Sequence, residues 1–145
     1  MRDLPRQLSV EELSELFEGR TRLVERLAEV ENPLEQAERV LETLSDEEKV
    51  EALRAHPAIG ARNLSPRSAG EQGTDADPAI LSELAYQNQV YEEKFGFRFV
   101  VFVDGRAKRE ILAVLSERIG RTRDEELATG CSELVAIARN RWTRT

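Results

Sequence analysis

Apolar residues recur at helical spacing along most of the chain, so the pattern predicts helices almost throughout. Ser9 and Glu12 form a capping-box signature ahead of Val10, Leu13, Leu16 and Phe17, and this helix should stop near Gly19. A second helix is expected through Leu23, Val24, Leu27 and Val30. Asn32-Pro33 reads as an N-cap with proline at the first helical position, opening a third helix through Leu34, Ala37, Val40, Leu41 and Leu44. Ser45 and Glu48 repeat the capping box and start a fourth, through Val50 and Leu53, that ends at His56-Pro57. Residues 56–77 hold several glycines and prolines without a sustained apolar period, which predicts a long irregular segment of the kind that often carries function. From Pro78 the stripe Leu81, Leu84, Asn88, Tyr91, Phe95 is the most regular in the chain, so this helix is expected at the centre of the fold.

Phe97-Arg98-Phe99-Val100-Val101-Phe102-Val103 is β-rich by composition, yet no second strand is in sight to pair with it. It is expected to be an extended buried connector, or one turn of tight helix, ending at the turn signal Asp104-Gly105. Two last helices follow, through Ile111, Leu112, Leu115, Ile119 and through Leu127, Leu134, Val135, Ala138, Trp142. The expected fold is all-α: one compact helical bundle of about seven or more helices, with residues 1–145 as a single domain.

Composition narrows the function. The 145 residues carry 21 Lys+Arg against 28 Asp+Glu, a formal charge of -7, which opposes a nucleic-acid role. No apolar run approaches the roughly 20 residues of a bilayer span, and the N-terminus lacks a signal-peptide pattern, so a soluble, cytoplasmic protein is expected. Cys131 is the only cysteine and His56 the only histidine, which excludes an internal disulfide, a cysteine-based metal cluster and zinc sites built on several imidazoles. No metal is expected.

Few residues remain for chemistry. His56 sits between a helix end and the irregular segment, where an imidazole with a pKa of about 6.5 can exchange protons, although a lone histidine there more often sits on the surface and caps the preceding helix's carbonyls. Ser68, Glu71 and Gln72 lie in the irregular segment, and Ser68-x-x-Glu71 is also a capping box. Asn88 interrupts an apolar stripe, as a ligand contact or a backbone-bonded buried amide. Cys131 reads as a small buried hydrophobe. Eighteen of the 21 basic residues are arginine; most should be solvated, but a guanidinium in a pocket suits a carboxylate.

In order along the chain stand His56-Pro57-x-Ile59-Gly60, Ser68-x-x-Glu71-Gln72, and Asn88-x-x-Tyr91-x-x-Lys94-Phe95-Gly96-Phe97-x-Phe99-Val100. Gly105-Arg106, Glu110-Ile111-Leu112, Leu115-x-x-Arg118 and Ile137-Ala138-x-x-Arg141 follow. With this set the sequence resembles the 2-oxo-4-hydroxy-4-carboxy-5-ureidoimidazoline (OHCU) decarboxylases of urate degradation over nearly its whole length. The resemblance implies a cofactor-free carboxy-lyase acting on a small anionic substrate, releasing (S)-allantoin and CO2, and a homodimer. It implies His56 as the acid/base and Glu71 as the second catalytic group. Pro57, Ser68, Gln72, the backbone of Phe99, Val100, Val101, Phe102 and Val103, and Arg141 for the anionic groups would bind substrate. Two other readings stay open: a non-catalytic helical interaction module, and a hydrolase of a related ureide in which His56 and Glu71 activate water.

Overall fold

The computed structural model describes residues 6–57 and 77–144. Among them are seven helices and no strand: α1 (Val10–Phe17), α2 (Arg22–Leu27), α3 (Ala37–Glu42), α4 (Asp46–Ala55), α5 (Pro78–Phe95), α6 (Lys108–Ile119) and α7 (Arg123–Thr143). The capping boxes of α1 and α4 form as the sequence suggests, with Ser9 and Ser45 accepting from the Glu12 and Glu48 amides at 3.1 and 3.2 Å. Thr122 and Glu125 cap α7 in the same way, and Asp77 with Pro78 opens α5.

The stretch between α2 and α3 departs from expectation. Helix α2 stops at Leu27, short of Val30, and α3 starts only at Ala37 with no side-chain cap. Asn32 adopts φ 52° and its carbonyl accepts from the Glu35 and Gln36 amides. The residue before a proline is pushed out of the α region, and Asn tolerates the left-handed one, so the pair makes a turn rather than a helix start. The turn still buries Leu34, whose carbonyl accepts from Arg139 Nε at 2.7 Å.

One apolar cluster runs from Leu8 to Ala138. Its centre is α7 rather than α5. Helix α7 buries Leu127, Gly130, Cys131, Leu134, Val135, Ile137 and Ala138 and packs on α1, α3 and α4, whereas α5 packs chiefly on α6 and buries only Leu84, Asn88, Tyr91 and Phe95. A regular stripe covers one helix face; small residues such as Gly130, Cys131 and Ala138 let neighbours approach on several. At Gly130 a Cβ would stand 3.2 Å from Leu53 Cδ2 of α4. Burial raises the Cys131 thiol pKa to about 11, which fits its reading as a core residue.

Between α5 and α6 the chain runs without ladder partners among the described residues. Phe97, Phe99, Val100, Val101 and Val103 are buried. Tyr91 packs on Phe95, Phe97 and Phe99 with ring centroids 4.6, 6.1 and 5.4 Å away, contacts that contribute about 0.5–1.5 kcal/mol each beyond area burial. Asp104 and Gly105 both take positive φ, and the Arg106 amide closes the turn on the Val103 carbonyl at 3.0 Å, the pattern of a type I′ turn. The extended buried connector expected from the sequence is therefore present.

The contact at Gly130 sets the spacing of α4, whose end carries His56. Gly130→Val should cost about 1–3 kcal/mol by overpacking against Leu53. Urea unfolding measures it, and an unchanged midpoint would contradict so close an approach.

Candidate active site

A buried extended segment must satisfy its peptide groups or lose roughly 1–3 kcal/mol for each one left dry. In a sheet a neighbouring strand does this; here side chains do. Arg118 Nη1 donates to the Val100 carbonyl at 2.8 Å and Arg106 Nη2 to the Phe102 carbonyl at 2.6 Å, while the Phe102 amide donates to Glu133 Oε1 at 3.4 Å. Upstream, Arg123 and Arg54 hold the Phe95 and Gly96 carbonyls at 3.1 and 2.9 Å. Successive residues of an extended chain present their peptide groups to opposite edges. The bonds at Val100 and Phe102 occupy one edge. On the other, the amides of Val101 and Val103 have no hydrogen-bond partner among the described residues. Two such donors on one side of a chain suit the carbonyl oxygens of a small planar ring.

A second cluster forms where α1, α4 and α7 meet. Helix α1 ends on Glu18 at φ 64°, a left-handed conformation that costs a non-glycine residue roughly 1–2 kcal/mol. It sets the Glu18 carboxylate 3.2 Å from Arg141 Nη2, and Arg141 Nη1 donates to the Leu16 carbonyl at 3.0 Å. The Arg141 side chain is 1% exposed. Arg141 is thus not among the solvated arginines that the sequence leads one to expect. His56, at the end of α4, is buried, and its Nδ1 has no partner among the described residues. Burial, then the positive charge of Arg141, and after these Arg98, push the imidazole down to about 4 against the opposing pull of Glu18. The ring is therefore neutral at neutral pH.

Arg98 joins the two clusters. Lying in the connector, its Nη1 donates to the carbonyls of His56 and Arg54 at 2.7 and 3.2 Å. The structure thus brings His56 and Arg141 together and ties Phe99–Val103 to them through one guanidinium. Pro57 follows His56 and is half-buried. Ser68, Glu71 and Gln72 lie outside the described residues. Glu18, Arg98 and Glu133 escaped the sequence reading. The one signal was Arg98, a lone polar residue inside the run of Phe and Val.

Among the described residues no group of His, Cys, Asp or Glu could hold a metal ion, and no helix is long and apolar enough to cross a membrane. A shallow hollow of about 480 Å³ lies between α2 and α4. Exposed ion pairs such as Arg22–Glu48 at 3.6 Å line it, and it contains none of the candidate residues.

The family model described as OHCU decarboxylase matches residues 2–143. The OHCU decarboxylase of Haloferax volcanii is 30% identical over 105 residues, which is 69% of this chain and 62% of that protein. The uric acid degradation bifunctional protein TTL of Arabidopsis thaliana is 33% identical over 66% of this chain and 32% of its own length. The chain thus matches less than two thirds of the length of these curated relatives. A crystal structure of OHCU decarboxylase in the presence of (S)-allantoin superposes with a TM-score of 0.77 at 24% identity, covering 92% of this chain and 96% of that one; the likeness is one of fold.

The buried imidazole leaves a thermodynamic signature. From pH 6.5 down to about 4 the unfolded chain binds a proton at His56 that the folded chain excludes, so stability is complete above this window and falls as pH drops through it, by up to about 3 kcal/mol. Urea midpoints of the wild type should fall between about pH 7 and about pH 5, and His56→Asn should flatten that slope. Equal slopes in both proteins would contradict a buried neutral imidazole.

Proposed function

Because the chain belongs to the OHCU decarboxylase family, we propose that it converts 2-oxo-4-hydroxy-4-carboxy-5-ureidoimidazoline to (S)-allantoin and CO2 in urate degradation. The observation that carries this reading is the neutral, buried His56 beside two arginines. Loss of CO2 breaks the bond between the ring and the carboxylate, and the electron pair moves into the adjacent C=N system. The ring is its own electron sink, so the chemistry needs no cofactor. His56 takes the hydroxyl proton as the carbonyl forms, and the imidazolium returns a proton to one face of the ureido-bearing carbon. One proton enters from water per turnover, because the carboxylate leaves as neutral CO2.

The electrostatics suit that cycle. In the free protein burial first, and then the nearby guanidinium charges, keep the imidazole unprotonated and ready to act as a base. An anionic substrate placed against the same cations offsets them and raises the proton affinity of the ring as it must accept a proton. Arg141 takes the anionic groups in this reading, and Glu71 orients the hydroxyl or the ureido group. Ser68 and Gln72 donate or accept at the ring, and Pro57 walls the pocket beside His56. The Val101 and Val103 amides meet ring oxygens, flanked by Phe99, Val100 and Phe102. Residues 1–145 then act as one decarboxylase domain, cytoplasmic and homodimeric, without nucleic-acid or membrane partners; light scattering that finds only a 16.5 kDa species contradicts the dimer.

OHCU generated enzymatically from urate tests the proposal. The wild type should accelerate the appearance of (S)-allantoin with release of CO2, and His56→Asn should lower kcat by about 10²–10⁴-fold with the fold retained. Glu71→Gln should lower kcat while binding substrate, and Arg141→Lys should weaken carboxylated ligands more than allantoin. Ureide hydrolysis without CO2, or a fully active His56→Asn protein, would falsify the decarboxylase reading.

A further inference from the structure

Arg118 is buried on α6, and the mechanism above does not use it. Its Nε donates to Glu126 Oε1 at 2.7 Å and its Nη1 to the Val100 carbonyl at 2.8 Å, with the guanidinium carbon 4.7 Å from the centroid of the Phe99 ring. Glu126 is fully buried and also accepts from the Tyr91 hydroxyl at 2.7 Å and from Arg121 Nη1 at 2.8 Å. This carboxylate therefore fixes Arg118 from behind while Arg118 holds the connector in front.

The peptide bond supplies the consequence. No cis peptide occurs among the described residues, and in a trans, planar peptide the carbonyl of one residue and the amide of the next point in opposite directions. Pinning the Val100 carbonyl therefore aims the Val101 N–H away from Arg118, toward the edge that has no partner among the described residues. Arg106 does the same for Val103 by holding the Phe102 carbonyl, but from within the adjoining turn, where its Nε also meets the Val103 carbonyl at 3.1 Å. Among the described residues only Arg118 reaches the middle of the connector from another element with a buried counter-charge behind it.

We propose that Arg118, clamped by Glu126, is a positioning residue that sets the orientation of the Val101 amide and so the affinity for the ring of the ligand. The identity of that ligand rests on the decarboxylase reading; the positioning role does not. A lysine at this place keeps the charge near Glu126 but loses the rigid fork that serves carboxylate and carbonyl together.

Arg118→Lys should raise the Kd of (S)-allantoin and the KM for OHCU about tenfold, with the pH profile of kcat in place. Tyr91→Phe, which removes a different bond to the same carboxylate, should lower stability and leave both constants within about twofold. Wild-type affinity in Arg118→Lys, or losses in both variants that track stability alone, overturns the proposal. If Arg118→Lys does not fold, Glu126→Gln keeps the shape and weakens the clamp; an unchanged Kd in that folded variant also overturns it. Should the wild type neither bind allantoin nor release CO2, the decarboxylase reading fails instead. Amide exchange at Val101 then decides the role of Arg118: faster in Arg118→Lys than in Tyr91→Phe supports it, and equal rates overturn it.

Discussion

A seven-residue segment, apolar but for Arg98, that is extended, largely buried and without a partner strand among the described residues is the constraint to which the other features answer. Apolar burial of Phe97, Phe99, Val100, Val101 and Val103 holds the segment inside, and the dry carbonyls that result must be met by something other than a sheet. Guanidinium groups meet them. Arg118 from α6 and Arg106 from the turn reach the Val100 and Phe102 carbonyls, while Arg54 of α4 and Arg123 of α7 hold the Gly96 and Phe95 carbonyls just ahead of the segment, so the surrounding elements become fixed relative to it. The Val100 and Phe102 bonds fall on one edge; on the other, where Arg106 meets the Val103 carbonyl, the Val101 and Val103 amides have no partner among the described residues. A fold made almost wholly of helices, whose backbones are saturated, thereby presents a short stretch of backbone with unpaired donors among the described residues, which in the proposed function meets the ligand.

The same logic explains why the basic residues are arginines. A lysine ammonium is a strongly hydrated point charge, whereas the planar fork of arginine can donate to a carbonyl and a carboxylate at once and is less costly to desolvate. Arg118, Arg139 and Arg141 each bind a main-chain carbonyl and a carboxylate together. Arg118 and Arg141 are buried, and removing one partner there leaves the other uncompensated, so these two contacts specify geometry more than they add stability. Around His56 the geometry has an electrical effect as well: burial first, and then the charges of Arg141 and Arg98, push the proton affinity of the imidazole down.

Much of the helical frame was legible in the sequence because caps are local. Ser9 with Glu12 and Ser45 with Glu48 are set by residues three apart, and they form as read. The turn at Asn32 was misread because Asn serves equally as a cap and as a left-handed turn residue, and only the packing of Leu34 decides between them. The centre of the bundle was misplaced because a clean stripe on α5 reports one buried face, while the closeness allowed by Gly130 on α7 depends on what stands opposite, here Leu53. For the candidate site, His56 and Arg141 are singled out by ordered motifs rather than by a local physical signal. Neither the left-handed Glu18 that pairs with Arg141 nor the Arg98 bond to the His56 carbonyl has a local signature, since both depend on residues distant along the chain.

The central claim is that the free edge of the connector is where the ligand is read. Amide chemical shifts during a titration with (S)-allantoin test it most directly. The account expects the Val101 and Val103 amides to shift and gain exchange protection, with the Phe102 amide, already donated to Glu133, changing least. Shifts confined to the hollow between α2 and α4, with Val101 and Val103 unmoved, would contradict it.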